Sequence, residues 1–322
     1  MKRRAFTGLL ASAVAWPSAR RAQARKAGLK VGYVIPATKT TAATAAFTDG
    51  MRSVSPELRD VEDVLRYTGG DPARIVPTIK DLIESKVTLL VPPGPALLRA
   101  AKGIAGTLPI VTYDFETDPV AEGFAQSIAH PGGNVTGIFL DMPTFSGKWM
   151  ELLVECVPRL SRVALIWDPS TGRIQIDSLT AIATQLGLQF DVLEVRERAD
   201  FTGAFAGARD RGANAAILLS SPLAYNNLSE TAELSLRHRL PTITLFSQFA
   251  RAGGMLSYGP NLVGAARQAG VLAGKVLMGA APGNVPIERP TRFELLVNMR
   301  TAETFGIKIP AQLQARADEV IE

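Results

Sequence analysis

From Leu29 onward, apolar runs of strand length alternate with amphipathic segments of helix length. That is the pattern of successive βαβ units: a buried parallel strand is apolar throughout, while the helix covering it is apolar along one stripe. The pattern occurs twice. Val31-Gly-Tyr-Val-Ile-Pro36 returns as Val163-Ala-Leu-Ile-Trp-Asp168, an offset of 132. Val87-Thr-Leu-Leu-Val-Pro-Pro-Gly-Pro95 returns as Ala215-Ala-Ile-Leu-Leu-Ser-Ser-Pro-Leu223, an offset of 128, and Leu108-Pro-Ile-Val-Thr-Tyr113 as Leu240-Pro-Thr-Ile-Thr-Leu245, at 132 again. Any buried parallel strand would give one such echo; three in order at nearly one spacing predict two similar α/β lobes. Each half closes on a Gly-Gly turn and a short strand, Gly132 to Gly137 and Gly253 to Gly259.

A helix is predicted over 146–158, with Trp149, Leu152, Leu153 and Cys156 on one stripe, so Cys156 reads as packing rather than as a reactive thiol. Another is predicted over 262–278, followed by the apolar segment Phe293 to Asn298 and a tail rich in Ala, Glu and Leu. Asp71-Pro72 reads as a helix start, with which Pro77, five residues on, conflicts. The expected fold class is therefore α/β, two Rossmann-like parallel-sheet domains joined by a hinge. The expected boundaries are 25–141 for the first lobe, 142–258 for the second, and 259–322 for crossover and C-terminal segments packing on both. Bendable crossings are expected at 140–142, 258–261 and 289–291.

Charge narrows the partners. The chain carries 35 basic and 30 acidic residues, but five of the basic ones (Lys2, Arg3, Arg4, Arg20, Arg21) fall within the first 24 residues, which hold no acid; the remainder balances 30 against 30. A neutral body without a basic run gives no electrostatic basis for binding phosphate backbones, so no nucleic-acid partner is expected. One cysteine and two histidines, His130 and His238, leave no disulfide, no cysteine-rich metal site and no activated nucleophile, so neither an enzyme nor a cofactor is expected. Residues 1–24 have a basic start, an apolar stretch from Phe6 to Trp16, and Ala22 and Ala24 flanking Gln23, which reads as a signal peptide cleaved after Ala24. Arg3-Arg4-Ala5-Phe6 looks like a twin-arginine export string. The expected location is the periplasm.

In parallel sheets, ligands lie beyond the carboxyl ends of the strands. The candidate positions there are Thr38, Gly94 and Ala96 in the first half, and Asp168, Ser170, Ser220, Ser221 and Phe246 in the second. Pro95 and Pro222 fit the first position of a helix behind the N-caps Gly94 and Ser221, and the amides that follow suit a carboxylate; an ordinary βα turn closed by its own cap is the alternative. Tyr258, Phe246 and Trp167 offer either a flat apolar wall or core packing. Asp114, Asp141 and Asp168 are either partners for a ligand ammonium or caps on nearby backbone.

Several strings together resemble one family. Pro131-Gly-Gly-Asn-Val-Thr-Gly137, Gly147-Lys-Trp-Met-Glu-Leu-Leu153, Gly253-Gly-Met-Leu-Ser-Tyr-Gly-Pro260 and Arg289-Pro-Thr-Arg-Phe-Glu-Leu-Leu-Val-Asn298, followed by Ala317-Asp-Glu-Val-Ile-Glu322, look like the ABC-transporter substrate-binding family that includes tryptophan and tyrosine binders. The resemblance implies a type I periplasmic binding protein, a monomer that closes on a small carboxylate-bearing ligand and delivers it to an ABC permease in the inner membrane. A subunit that presents its ligand to a sensor is the other role it allows. Amino-acid binders of the family carry an acidic-polar pair after the strand equivalent to Ala215 to Leu219, where this chain has Ser220-Ser221-Pro222. An α-amino group would therefore have to be held by Asp114, Asp141 or Asp168, or the ligand is an aromatic or aliphatic carboxylate without one.

Overall fold

The computed structural model describes residues 28–322; the leader reading lies outside them. Strands β1 (Lys30–Ile35), β2 (Glu62–Tyr67), β3 (Leu89–Val91), β4 (Ile110–Asp114) and β5 (Val135–Phe139) form a sheet in the order β2-β1-β3-β4-β5. A second sheet holds β6 (Arg162–Trp167), β7 (Gln189–Glu194), β8 (Ala215–Leu218), β9 (Thr242–Thr244), β10 (Leu256–Pro260), β11 (Phe293–Asn298) and β12 (Glu319–Ile321), in the order β12-β11-β10-β9-β8-β6-β7. Taken from its other edge, this sheet runs β7-β6-β8-β9-β10, the order of the first sheet, and the neighbours in both five-strand runs are parallel. The matched apolar runs are thus matched strands: β1 with β6, β3 with β8, β4 with β9. On the second sheet β11 is added antiparallel to β10, and β12 parallel to β11.

The helices are α1 (Ala42–Arg52), α2 (Ile75–Glu84), α3 (Pro95–Ile104), α4 (Met142–Cys156), α5 (Ile174–Leu186), α6 (Asp200–Asp210), α7 (Pro222–Asn226), α8 (Leu228–Arg237), α9 (Ser247–Arg251), α10 (Leu262–Leu277), α11 (Met299–Thr304) and α12 (Ala311–Arg316). The Pro77 conflict resolves locally. Asp71 caps a single 3-10 turn, Pro72–Arg74, and α2 begins only at Ile75. Pro77 then lies in the first turn of α2, where its missing N–H would have had no intrahelical partner. The Trp149, Leu152, Leu153 and Cys156 stripe of α4 is buried as its spacing requires, and burial raises the Cys156 thiol well above its usual range, which suits an inert packing group.

Side-chain alternation sorts the first sheet's core into two layers. Val31, Tyr33 and Ile35 of β1 join Phe47 and Met51 of α1 in a cluster that continues through Trp149 into the second sheet, while Val34 joins Ile79, Leu82 and Leu98 on the opposite face. The chain passes between the sheets three times: from β5 to α4, which packs on α5; from β10 to α10, which packs on α1 of the first sheet; and from the segment at Glu288, bridged to Ile138 of β5, back to β11. The α1–α10 contact is close because glycines form it: a Cβ on Gly270 would fall 2.0 Å from the Phe47 carbonyl oxygen, and one on Gly50 would fall 2.1 Å from that of Arg267.

Each crossing carries an aromatic ring, Phe145 after the first, Tyr258 before the second and Phe293 after the third. The three stack on one another with centroids 5.4, 5.8 and 5.9 Å apart. Trp149 Nε1 donates to the Tyr258 carbonyl at 2.8 Å and ties α4 to the same point.

Candidate functional site

The carboxyl ends of both sheets face one cavity of about 140 Å³, roughly ten times what one water needs. The first sheet and its helices supply Tyr33, Phe47, Gly94, Tyr113, Phe115 and Glu116; the second supplies Ser221, Pro222, Tyr225, Asn226 and Phe246. Six of the lining side chains are aromatic. Tyr33 meets Phe47 edge-on at 5.5 Å, and Tyr225 meets Phe246 edge-on at 5.1 Å, so each wall is braced by its own ring pair. The Tyr33 hydroxyl is hydrogen-bonded to Thr48 Oγ1 at 2.9 Å, which fixes that ring from behind.

Three helix N-termini converge here. Thr41 caps α1 through the Thr44 amide, and Ser221 caps α7 through the Ala224 amide at 3.0 Å. The start of α3 differs, because Gly94, at φ +80°, supplies no side-chain cap. The start of α3 therefore has no serine or aspartate oxygen on its first amides, and the partial positive end of the helix begins at Gly94 on the cavity edge, an environment that suits a small anion.

The acid of the site is Glu116, in the turn after β4. Glu116 is 6% exposed, and its carboxylate accepts from the Phe115 amide at 3.3 Å and from the Ser220 hydroxyl of the opposite sheet. Ser220 is held for this contact by Gln175, whose side chain pairs with both the amide and the carbonyl of Ser220 at 2.8 Å. Asp114 lies two residues from Glu116, accepting from the Glu116 amide at 2.8 Å and the Thr117 hydroxyl at 2.7 Å, in the field of Arg99. Burial, and then the negative charge of Asp114, push Glu116 up to about 8, so near neutrality Glu116 keeps its proton. Burial raises Asp114 as well, and the Thr117 hydroxyl, the Glu116 amide and the Arg99 charge work against that rise.

A second contact joins the halves. Arg99 Nη1 of α3 donates to the Ser170 carbonyl at 3.0 Å while its Nε and Nη2 hold Glu122 at 3.0 and 3.3 Å.

Of the positions expected from sequence, Gly94, Ser221 and Phe246 line the cavity. Ser220 stands behind the lining as the partner of Glu116, and Asp114 as its neighbour. Ala96 follows Gly94 in the first turn of α3, outside the lining, and Thr38 is exposed on the loop after β1, against Gly69. Asp168 caps its own turn by accepting from the Ser170 amide at 2.9 Å, and Ser170 touches Arg99 rather than the cavity. Asp141 accepts from Thr144 Oγ1 at 3.0 Å. Asp114 and Asp168 thus have the backbone-capping role that a short acid at a strand end offers, while Asp141 holds a side-chain hydroxyl and caps no amide. Tyr258 lies in the crossing stack, and Trp167 donates to the Gly172 carbonyl at 3.0 Å. Sequence reasoning missed Glu116 and the rings of Tyr33, Phe47, Tyr113 and Tyr225. The signal for Glu116 was an acid two residues past the end of an apolar run, in a loop counted only as far as Asp114.

Residues 38–321 match the family described as ABC transporter substrate binding protein. A tyrosine-binding protein of Clostridioides difficile (strain R20291) is 22% identical over 260 residues, covering 80% of this chain and 72% of that protein. Among solved structures, the ABC domain in complex with L-Trp from Streptococcus pneumonia superposes with a TM-score of 0.84 at 18% identity, over 91% of this chain and all of that one (100%). The ligand-free, open structure of CD0873, a substrate binding protein with adhesive properties from Clostridium difficile, gives 0.65 at 17% identity, over 91% and 99% of the two chains. The architecture is that of type I periplasmic binding proteins.

Proposed function

We infer that this chain, which belongs to the ABC transporter substrate-binding protein family, binds a small carboxylate-bearing ligand with a flat apolar body and hands it to a membrane permease. Families of this kind bind and deliver rather than catalyse. The observation that carries the reading is the cavity itself: aromatic on both walls, built from both sheets, and with the uncapped start of α3 at its edge. Amino acids with aromatic side chains have that shape and charge, those with large aliphatic side chains share the charge and the apolar body, and the relatives named for tyrosine and solved with L-Trp support the class. The cavity lies between the halves, so a ligand touching both walls favours the closed population of a molecule that bends along the three crossings. The basic start and apolar stretch of residues 1–24 support a periplasmic location. Among the described residues no helix is long and apolar enough to cross a membrane.

A second reading is favoured by Ser220-Ser221-Pro222, which put no acid after β8: a carboxylate ligand with no amino group. The test of the function is to denature the natively purified protein and identify what it releases by mass spectrometry. A stoichiometric aromatic or aliphatic molecule bearing a carboxylate is expected; a sugar or a polyamine would contradict the proposal.

A further inference from the structure

We propose that Glu116 is the specificity residue of this cavity, selecting ligands that carry a primary ammonium beside their carboxylate and giving up its own proton when such a ligand binds. The inference rests on the binding role proposed above and decides between its two ligand classes.

Three observations point the same way. Among the described residues Glu116 is the one ionisable acid of the lining, which holds no lysine, arginine or histidine. An anion without an amino group would therefore find no cationic side chain there, with helix amides as its sole compensation. A zwitterion meets both signs, its carboxylate at the start of α3 and its ammonium at Glu116. The groups around Glu116 reinforce this: Asp114 beside it is a second carboxyl group, the Ser220 hydroxyl and the Phe115 amide hold its oxygens, the hydroxyl groups of Tyr113 and Tyr225 belong to the same lining, and Arg99 is occupied by Glu122 and the Ser170 carbonyl. Finally, the acid is buried and its carboxyl group reaches across the gap to the Ser220 hydroxyl, so an ammonium placed there would touch both halves.

The proton balance is explicit. In the empty site Glu116 is a neutral carboxylic acid. A ligand ammonium approaching in a low-dielectric cavity stabilises the carboxylate, the carboxyl O–H bond breaks, the proton leaves to solvent, and an ammonium–carboxylate pair remains. Binding of an amino acid therefore tightens as pH rises toward 8, by at most about tenfold per unit, while binding of a des-amino carboxylate does not.

The test is calorimetric titration at pH 7 in two buffers of different ionisation enthalpy. The probes are L-tryptophan and L-tyrosine, set against indole-3-propanoate and 3-(4-hydroxyphenyl)propanoate, on wild type and Glu116→Gln. Expected are close to one proton released per amino acid bound, none for the des-amino acids, and a loss of about 10- to 100-fold in amino-acid affinity in Glu116→Gln. The variant's affinity for the des-amino acids should be unchanged or improved. Wild type alone gives the proton count, so a poorly folding variant does not remove the test. Equal binding of both probe sets with no proton released overturns the role of Glu116 and leaves the carboxylate-binding function standing. Binding of none of the four overturns the aromatic ligand class and this inference with it.

Discussion

Glu116 shows how a buried acid takes its properties from its neighbours. Its carboxyl oxygens are satisfied by Ser220 and the Phe115 amide, yet removal from water and the charge of Asp114 keep a proton on it. The unfolded chain releases that proton near the ordinary glutamate value, whereas the folded chain keeps it until about pH 8. Between those values the folded state binds more protons, so this group's contribution to stability falls as pH rises, by at most about 1.4 kcal/mol per unit, and levels off above the folded value. Glu116→Gln is accordingly expected to gain stability relative to wild type steadily from about pH 5 to about pH 8. Urea midpoints of both proteins across that range check it, and parallel curves would contradict it. At this scale the sequence was only partly legible. Gly94 and Ser221 could be placed because proline fixes a helix start and the residue before it must serve as cap. Glu116 could not, because its function depends on Ser220, 104 positions away, and on how the two sheets meet.

Strands and helices were far more legible than side-chain roles, because a parallel strand writes its burial directly into an apolar run. The three echoes fall on equivalent strands of two sheets sharing one order. What periodicity could not convey was which sheet each later element joins. The helix predicted over 262–278 returns to the first sheet, and its glycines, not its apolar stripe, set how closely it approaches α1. Gly270→Ala is expected to destabilise by about 1–3 kcal/mol despite a helix-propensity gain of about 1 kcal/mol, since the new methyl would overlap the Phe47 carbonyl. A rise in the thermal midpoint would refute the close packing. Tyr258 is the other lesson. An aromatic residue at a strand end reads equally as ligand wall or as packing, and here it stacks between Phe145 and Phe293 where the chain crosses. Tyr258→Ala is expected to cost about 2 kcal/mol in denaturant unfolding and Tyr258→Phe little, because the ring carries the contact. Wild-type stability in the alanine variant would show that the stack does not hold the crossings.

On the scale of the whole molecule, two halves of one topology meet across a cavity and are joined there by Glu116 with Ser220 and Arg99 with the Ser170 carbonyl. The arrangement has the form of a clamp, with the ligand as the part that both halves share. Phe246 and Tyr33 stand on opposite walls, so replacing either ring by alanine is expected to weaken binding by about tenfold or more; an effect confined to one wall would argue against a ligand bridging the halves. The most direct measurement is the thermal midpoint of protein beginning at Arg25, unfolded and refolded to strip bound ligand, against amino acids, aromatic and aliphatic carboxylates, polyamines and sugars. A ligand that binds only the folded state at 100 times its dissociation constant adds about 2.7 kcal/mol. The account predicts a concentration-dependent rise with aromatic or large aliphatic amino acids. A rise only with sugars or polyamines, and none with any amino acid or carboxylate, would contradict it.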